Sequence, residues 1–167
     1  MSYEITTRQS TYWDFKNSSE LVRIHFIGKE EFCFTSAATS GFSIRVEHPL
    51  LLDYQLSWNR VYISDKSEKS STVLREIGNV WEPLLQGWRS PLLYMNDVGP
   101  EIMLSEGHGQ LLDAPEPLAA LAVEILAKHG IRSTVCSGYG HLKALKVLVA
   151  GRNFVIAKDF RIEKHEA

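Results

Sequence analysis

Cysteine is scarce in this chain. Two residues, Cys33 and Cys136, stand far apart among 167. Two isolated thiols make no disulfide framework, which excludes the small stapled scaffolds of secreted proteins. Both lie in apolar, strand-like runs and read as buried small hydrophobes. Long hydrophobic runs are missing as well. The longest mostly apolar stretch, Leu118 to Ala127, is interrupted by Glu124 and falls well short of the ~20 residues that cross a bilayer. The first residues, Met-Ser-Tyr-Glu-Ile-Thr-Thr-Arg, lack the basic-then-apolar order of a secretory leader. These absences set the expectation of a soluble, cytoplasmic protein with no membrane element.

Motifs that carry chemistry are also absent. There is no Walker-type phosphate loop, serine nucleophile elbow, kinase signature, EF-hand loop or paired-cysteine zinc pattern. The six histidines, His25, His48, His108, His129, His141 and His165, are spread thinly and not at metal-ligand spacing. No cofactor and no metal is expected. No internal repeat, low-complexity tract or Pro/Gly/Ser-rich linker divides the chain. Residues 1–167 therefore read as a single globular domain, long enough to bury roughly two-thirds of its unfolded surface.

The scarcest feature is positive charge in one window. From Ser90 to Ala127 there is no Lys or Arg, while Asp97, Glu101, Glu106, Asp113, Glu116 and Glu124 fall inside it. From Lys128 onward the balance reverses, with Lys128, Arg132, Lys143, Lys146, Arg152, Lys158, Arg161 and Lys164. Such asymmetry bears on partner choice and association rate rather than on fold. The chain as a whole is mildly acidic, with net charge −2 and an isoelectric point of about 6.3. That balance argues against a nucleic-acid partner, which calls for a basic surface with an aromatic platform.

What is present is a clear run of strand and helix signals. In residues 20–27, Val22, Ile24 and Phe26 alternate with Leu21, Arg23 and His25, so a strand with one apolar face is expected. Gly28-Lys29 suits a two-residue hairpin turn into a second strand at 30–35. Residues 42–47 and 58–63 read as further strands of an antiparallel meander. A helix is predicted from Val73 to Trp88 by apolar residues at three- and four-residue spacing, with Ser70, Ser71 and Thr72 as N-cap hydroxyls. Pro83 should kink or end it. A second helix begins near Leu118, with Asp113 and Glu116 as a capping pair and Pro115 and Pro117 in its first turn. Gly130 stops it. Strands are expected at 131–136 and 153–162, and residues 141–150 suit a helix or a hairpin equally. The fold class is α+β: an antiparallel sheet, meander-like in its N-terminal half, with two main amphipathic helices packed on one side.

Three groups of residues could carry function. Cys136-Ser137-Gly138-Tyr139-Gly140-His141 places a thiol five residues from an imidazole across a glycine turn, the minimum for a Cys136/His141 enzyme. Nothing nearby supplies an orienting group. The glycines at 107–109 and 138–140 could line a small-ligand or sensing loop, but a lone Gly-x-Gly is a weak signal. The third group lies past the first helix. Trp88 and Tyr94, with Asp97, Glu101 and Glu106, join bulky aromatics to unopposed acids, a composition suited to the centre and rim of a protein interface. The leading expectation is thus a non-catalytic cytosolic domain that binds another protein. Its most specific form is an immunity or antitoxin-type inhibitor that occludes a basic toxin or nuclease through an acidic, aromatic-flanked surface.

Overall fold

The computed structural model describes residues 3–8, 11–140 and 142–166. In chain order its elements are β1 (Tyr3–Arg8), β2 (Tyr12–Lys16), β3 (Glu20–Cys33), β4 (Ala38–Thr39), β5 (Ser43–Arg45), a 3-10 turn at Pro49–Leu51 and α1 (Leu52–Gln55). There follow β6 (Trp58–Ile63), α2 (Ser70–Leu85), a 3-10 turn at Pro91–Tyr94, α3 (Pro100–Glu106), β7 (Gly109–Pro115) and α4 (Glu116–Lys128). The chain closes with β8 (Ser133–Tyr139), β9 (Lys146–Ala150) and β10 (Asn153–Glu166). The fold is α+β with antiparallel sheets. No helix among the described residues is long and apolar enough to cross a membrane.

The chain divides into two compact units. The first, Met1–Leu51 with Ala144–Ala167, holds a seven-stranded antiparallel sheet of order β4-β1-β2-β3-β10-β9-β5. Its N-terminal part is a meander, β1 to β2 to β3, but not the expected one: strands 3–8 and 12–16 were not foreseen, 20–33 is a single strand, and the strand at 43–45 pairs with β9 instead. Alternation decides which side chains go inside. Ile5, Trp13, Phe15, Val22 and Ile24 point into one core with Leu148, Ala150 and Val155. Trp13 pairs across to Ile24 and Phe15 to Val22. Tyr12, Asp14, Arg23 and His25 take the opposite face, where Arg23 forms a two-pronged salt bridge to Asp14 at 2.7 and 2.8 Å and lies over the Tyr12 ring. At the start of β10 the fully buried Asn153 pins the 35–36 loop. Its Oδ1 accepts from the amides of Thr35 and Ser36 at 2.7 and 3.0 Å, and its Nδ2 donates to the Ser36 carbonyl at 2.7 Å.

Gly28 does not turn the chain. β3 runs straight through it as one strand of 14 residues, paired along its length with β10. The glycine has φ 62°, and the place of its absent Cβ lies 2.8 Å from Lys158 Cδ. A register shift between Ile156 and Ala157 gives β3 one extra residue nearby. A positive-φ glycine serves a bulged strand as well as a hairpin, so the same signal fits both. The described part of the 141–150 stretch resolves in favour of the hairpin: β9 leads through Gly151, at φ 64°, into β10.

The second unit, Leu52–Lys143, holds a three-stranded antiparallel sheet of order β7-β6-β8. The strand expected at 58–63 is therefore the centre of a separate sheet. Helix α4 packs on this sheet and α2 packs on α4. Val61, Ile77, Trp81, Leu112, Leu118 and Leu126 are among the residues that fill the core between them. Trp81 is fully buried, and its indole N–H donates to the Leu118 carbonyl at 2.7 Å, which ties the two helices together.

The helix ends differ from expectation. The N-cap of α2 is Lys69, with no side-chain cap, and Ser70 begins the helix itself, its hydroxyl donating to the Ser67 carbonyl. Helix α2 passes Pro83 and ends at Leu85. Asp113 is not a cap of α4. It belongs to β7, while Pro115 is the N-cap residue of α4. The cysteines are not core residues either. Cys33 is half-buried, and Cys136 is exposed on β8, an edge strand of its sheet.

Candidate functional site

The segment between α2 and β7 is built by turns that leave little freedom. Gln86 and Gly87 take left-handed φ values of 50° and 67° and end α2. Ser90 caps the next 3-10 turn by accepting the Leu92 amide on its hydroxyl, with Pro91 in the first position. A short turn can point only some of its side chains inward. Tyr94 is the one buried there, 2% exposed, while Leu92 and Leu93 are 73% and 64% exposed. The Tyr94 ring packs against Trp58 and Trp81, each at 5.9 Å. Its hydroxyl donates to Asp53 Oδ1 at 2.8 Å. Arg89 lies 3.3 Å from the other Asp53 oxygen, and Trp58 donates its indole N–H to the Asp53 carbonyl.

The chain then pairs briefly with β7 through Met95 and Leu112. Asn96 locks the following turn. Its Nδ2 donates to the Gln110 carbonyl and its Oδ1 accepts from the Val98 amide, both at 2.8 Å. Gly99, at φ 117°, leads into α3, whose Leu104 is buried and whose Glu101, Ile102 and Glu106 face outward. Val98 is 70% and Ile102 49% exposed. Leu92, Leu93, Val98 and Ile102 thus form an exposed aliphatic series on a segment anchored by Tyr94 and Leu104.

A cleft of about 400 Å³ lies beside this series, lined by Trp58, Leu93, Tyr94, Asp97, Val98 and Asp113, among others. Asp97 has no hydrogen-bond or ion-pair partner among the described residues. Asp113 lies 3.4 Å from Arg60, its cross-strand neighbour. Burial pushes the Asp113 carboxyl upward, and Arg60 partly opposes that shift. Tyr94 and Asp97 are therefore brought to one cleft. Glu101 lines a different hollow, of about 350 Å³, together with Lys66 and Ser105. Glu106 ends α3, and Trp88 is half-buried in the turn after α2. The other acids of the window are dispersed: Glu116 accepts from Ser57 at 3.1 Å and Glu124 is exposed on α4. Charges also interleave, since Lys128 pairs with Glu76 and Arg132 with Asp65.

The remaining candidates are placed as follows. Cys136 stands on β8 directly across from Arg60, and His141 lies outside the described residues. Gly107 ends α3 with φ 81°, and the site of a Cβ there lies 2.6 Å from the Lys66 backbone nitrogen, so close packing alone accounts for it. Gly138 belongs to β8, and the element after Gly140 is a strand, so no helix N-terminus follows to receive a phosphate. Among the described residues no three His, Cys, Asp or Glu side chains converge as a metal set. The sequence singled out aromatics and acids here but not Leu92, Leu93, Val98 or Ile102. In a chain rich in leucine, exposure is the signal, and it depends on which way each turn faces.

No protein family, curated protein or solved structure matches the chain.

Proposed function

We propose that this protein works in the cytoplasm by binding another protein, as an inhibitor of the immunity or antitoxin type that occludes a basic enzyme such as a nuclease. The observation that supports the reading is the exposed series Leu92, Leu93, Val98 and Ile102, standing beside Asp97 and Glu101 on a segment fixed from within by Tyr94. Single exposed hydrophobes are ordinary; four of them within eleven residues support a surface that is covered in use. An apolar centre with a charged rim is the usual anatomy of an interface. Acids at the rim steer a basic partner and speed association. Occlusion needs no catalytic group.

The test begins with affinity purification of the tagged chain from its own cells and identification of any stoichiometric partner. Binding is then measured for two variants. L93D/V98D should weaken affinity at least tenfold, an effect typical of lost central contacts (about 1.4 kcal/mol or more). D97K/E101K/E106K should slow association and remove most of its salt dependence. A partner that binds both variants as it binds the parent would defeat this surface as the interface.

A further inference from the structure

We infer that the cleft beside β7 is a socket for an arginine side chain of the partner protein, whose guanidinium lies against Trp58 and reaches the carboxylate of Asp97. This deepens the proposed function and rests on it.

The lining has the three parts such a side chain needs. Leu93, Met95 and Val98 offer aliphatic surface for its methylene stem. Trp58 offers an aromatic wall, and its ring is held in place because the indole N–H is committed to the Asp53 carbonyl at 3.1 Å. Asp97 offers a carboxylate without a partner among the described residues. The lining contains two carboxylates and no Lys or Arg. Of the two carboxylates, Asp113 already has Arg60 at 3.4 Å, which leaves Asp97 as the group that answers an incoming charge.

The socket is also rigid before anything enters it. The Asn96 turn is closed by hydrogen bonds on both sides of the acid, from Asn96 to Gln110 and from Val98 to Asn96. An arriving cation then meets a carboxylate whose backbone position is fixed, which lowers the ordering cost of binding. Burial raises the Asp113 carboxyl, so a second cation nearby would favour its ionised form too. Arginine suits the place better than lysine. Its planar group stacks on indole, is more weakly hydrated, and offers several donors in a fixed fork.

The experiment is an NMR titration of the full chain with Nα-acetyl-arginine amide, alongside the neutral isostere Nα-acetyl-citrulline amide. The Trp58 indole and the Asp97 and Val98 amides should shift saturably in the millimolar range. Citrulline should bind at least about fivefold more weakly, and D97N should cost about fivefold for the arginine probe. Asp97 is exposed, so D97N leaves the fold intact where W58L could disturb it. No saturable response, or an equal response to citrulline, overturns the socket. If a protein partner is found and binds D97N as tightly as the parent, the socket is wrong while the interface stands. If the arginine probe binds but the L93D/V98D variant shows no protein partner to have been lost, the partner form of the inference fails with the proposed function.

Discussion

At the scale of single residues, most of the charged side chains are spent on local order. Asp65 shows the pattern most clearly. It follows β6, and it accepts from Arg132 three times: from the backbone amide at 2.8 Å and from Nε and Nη2 at 2.9 Å each. These bonds hold its carboxyl at about 2, below the ordinary 3.8. The sign follows from linkage. A carboxyl lowered in the folded state adds stability in full above its unfolded value and loses it as pH falls through the folded one. The contribution of Asp65 should therefore be complete above about 3.8 and gone by about 2. Urea midpoints of the parent and D65N, measured from neutral pH down through about 2, should differ at neutral pH and converge in acid. A gap that does not change with pH would show that the pair contributes no charge-dependent stability. Glu76 is lowered likewise by Lys128 and His129, so the acid limb has more than one source.

At the scale of elements, periodicity made some parts plain and left others hidden. Helices α2 and α4 were legible because their apolar residues keep one period from end to end, and strand β6 because it is a short run rich in aromatic and β-branched residues. Strand β7 was hidden because Leu111 and Leu112 are both buried at a register shift, which breaks the alternation that marks a strand. Helix α3 has seven residues, too few to establish a period. Gly28 was misread for a sharper reason: whether a glycine bends the chain or lets it bulge depends on its distant partner, here β10. That partner provides the test. G28A should destabilise the fold by about 1–2 kcal/mol, since alanine resists positive φ and its Cβ would meet Lys158. The double variant G28A/K158A should recover the steric part, because Lys158 Cγ and Cδ are the nearest atoms and alanine lacks both. A hairpin tip at Gly28 would give no such recovery. Chemical unfolding of the four proteins of this cycle decides between them. The candidate surface was legible to the same degree. Its acids and aromatics could be named from composition, but only the turn geometry sends Tyr94 inward and leaves Leu92 and Leu93 outside.

At the scale of the whole molecule, connectivity separates the two units. The second, Leu52–Lys143, is one continuous stretch with its own sheet and a core that runs from Val61 to Ile131. The first is made from both ends of the chain. Strand β3 takes β10 as its neighbour, and Leu148, Ala150 and Val155 complete the core that Trp13 and Phe15 begin. A fragment of residues 1–51 would keep β1, β2 and β3 but lose the partner of β3 along its length, leaving a long row of unpaired backbone groups and an open apolar face. A fragment of residues 52–143 keeps the pairings of β6 with β7 and β8, because all three strands lie within it. The expected outcome is that fragment 52–143 unfolds cooperatively in urea and keeps the helical circular dichroism of α2 and α4. Fragment 1–51 should be unfolded or aggregated, and mixing it with a peptide of residues 144–167 should restore strand signal. Because the candidate surface lies wholly in 52–143, that fragment should also retain the partner and the arginine probe. Failure of 52–143 to fold would mean that its core needs the rest of the chain, and the surface would then be a property of the full protein alone.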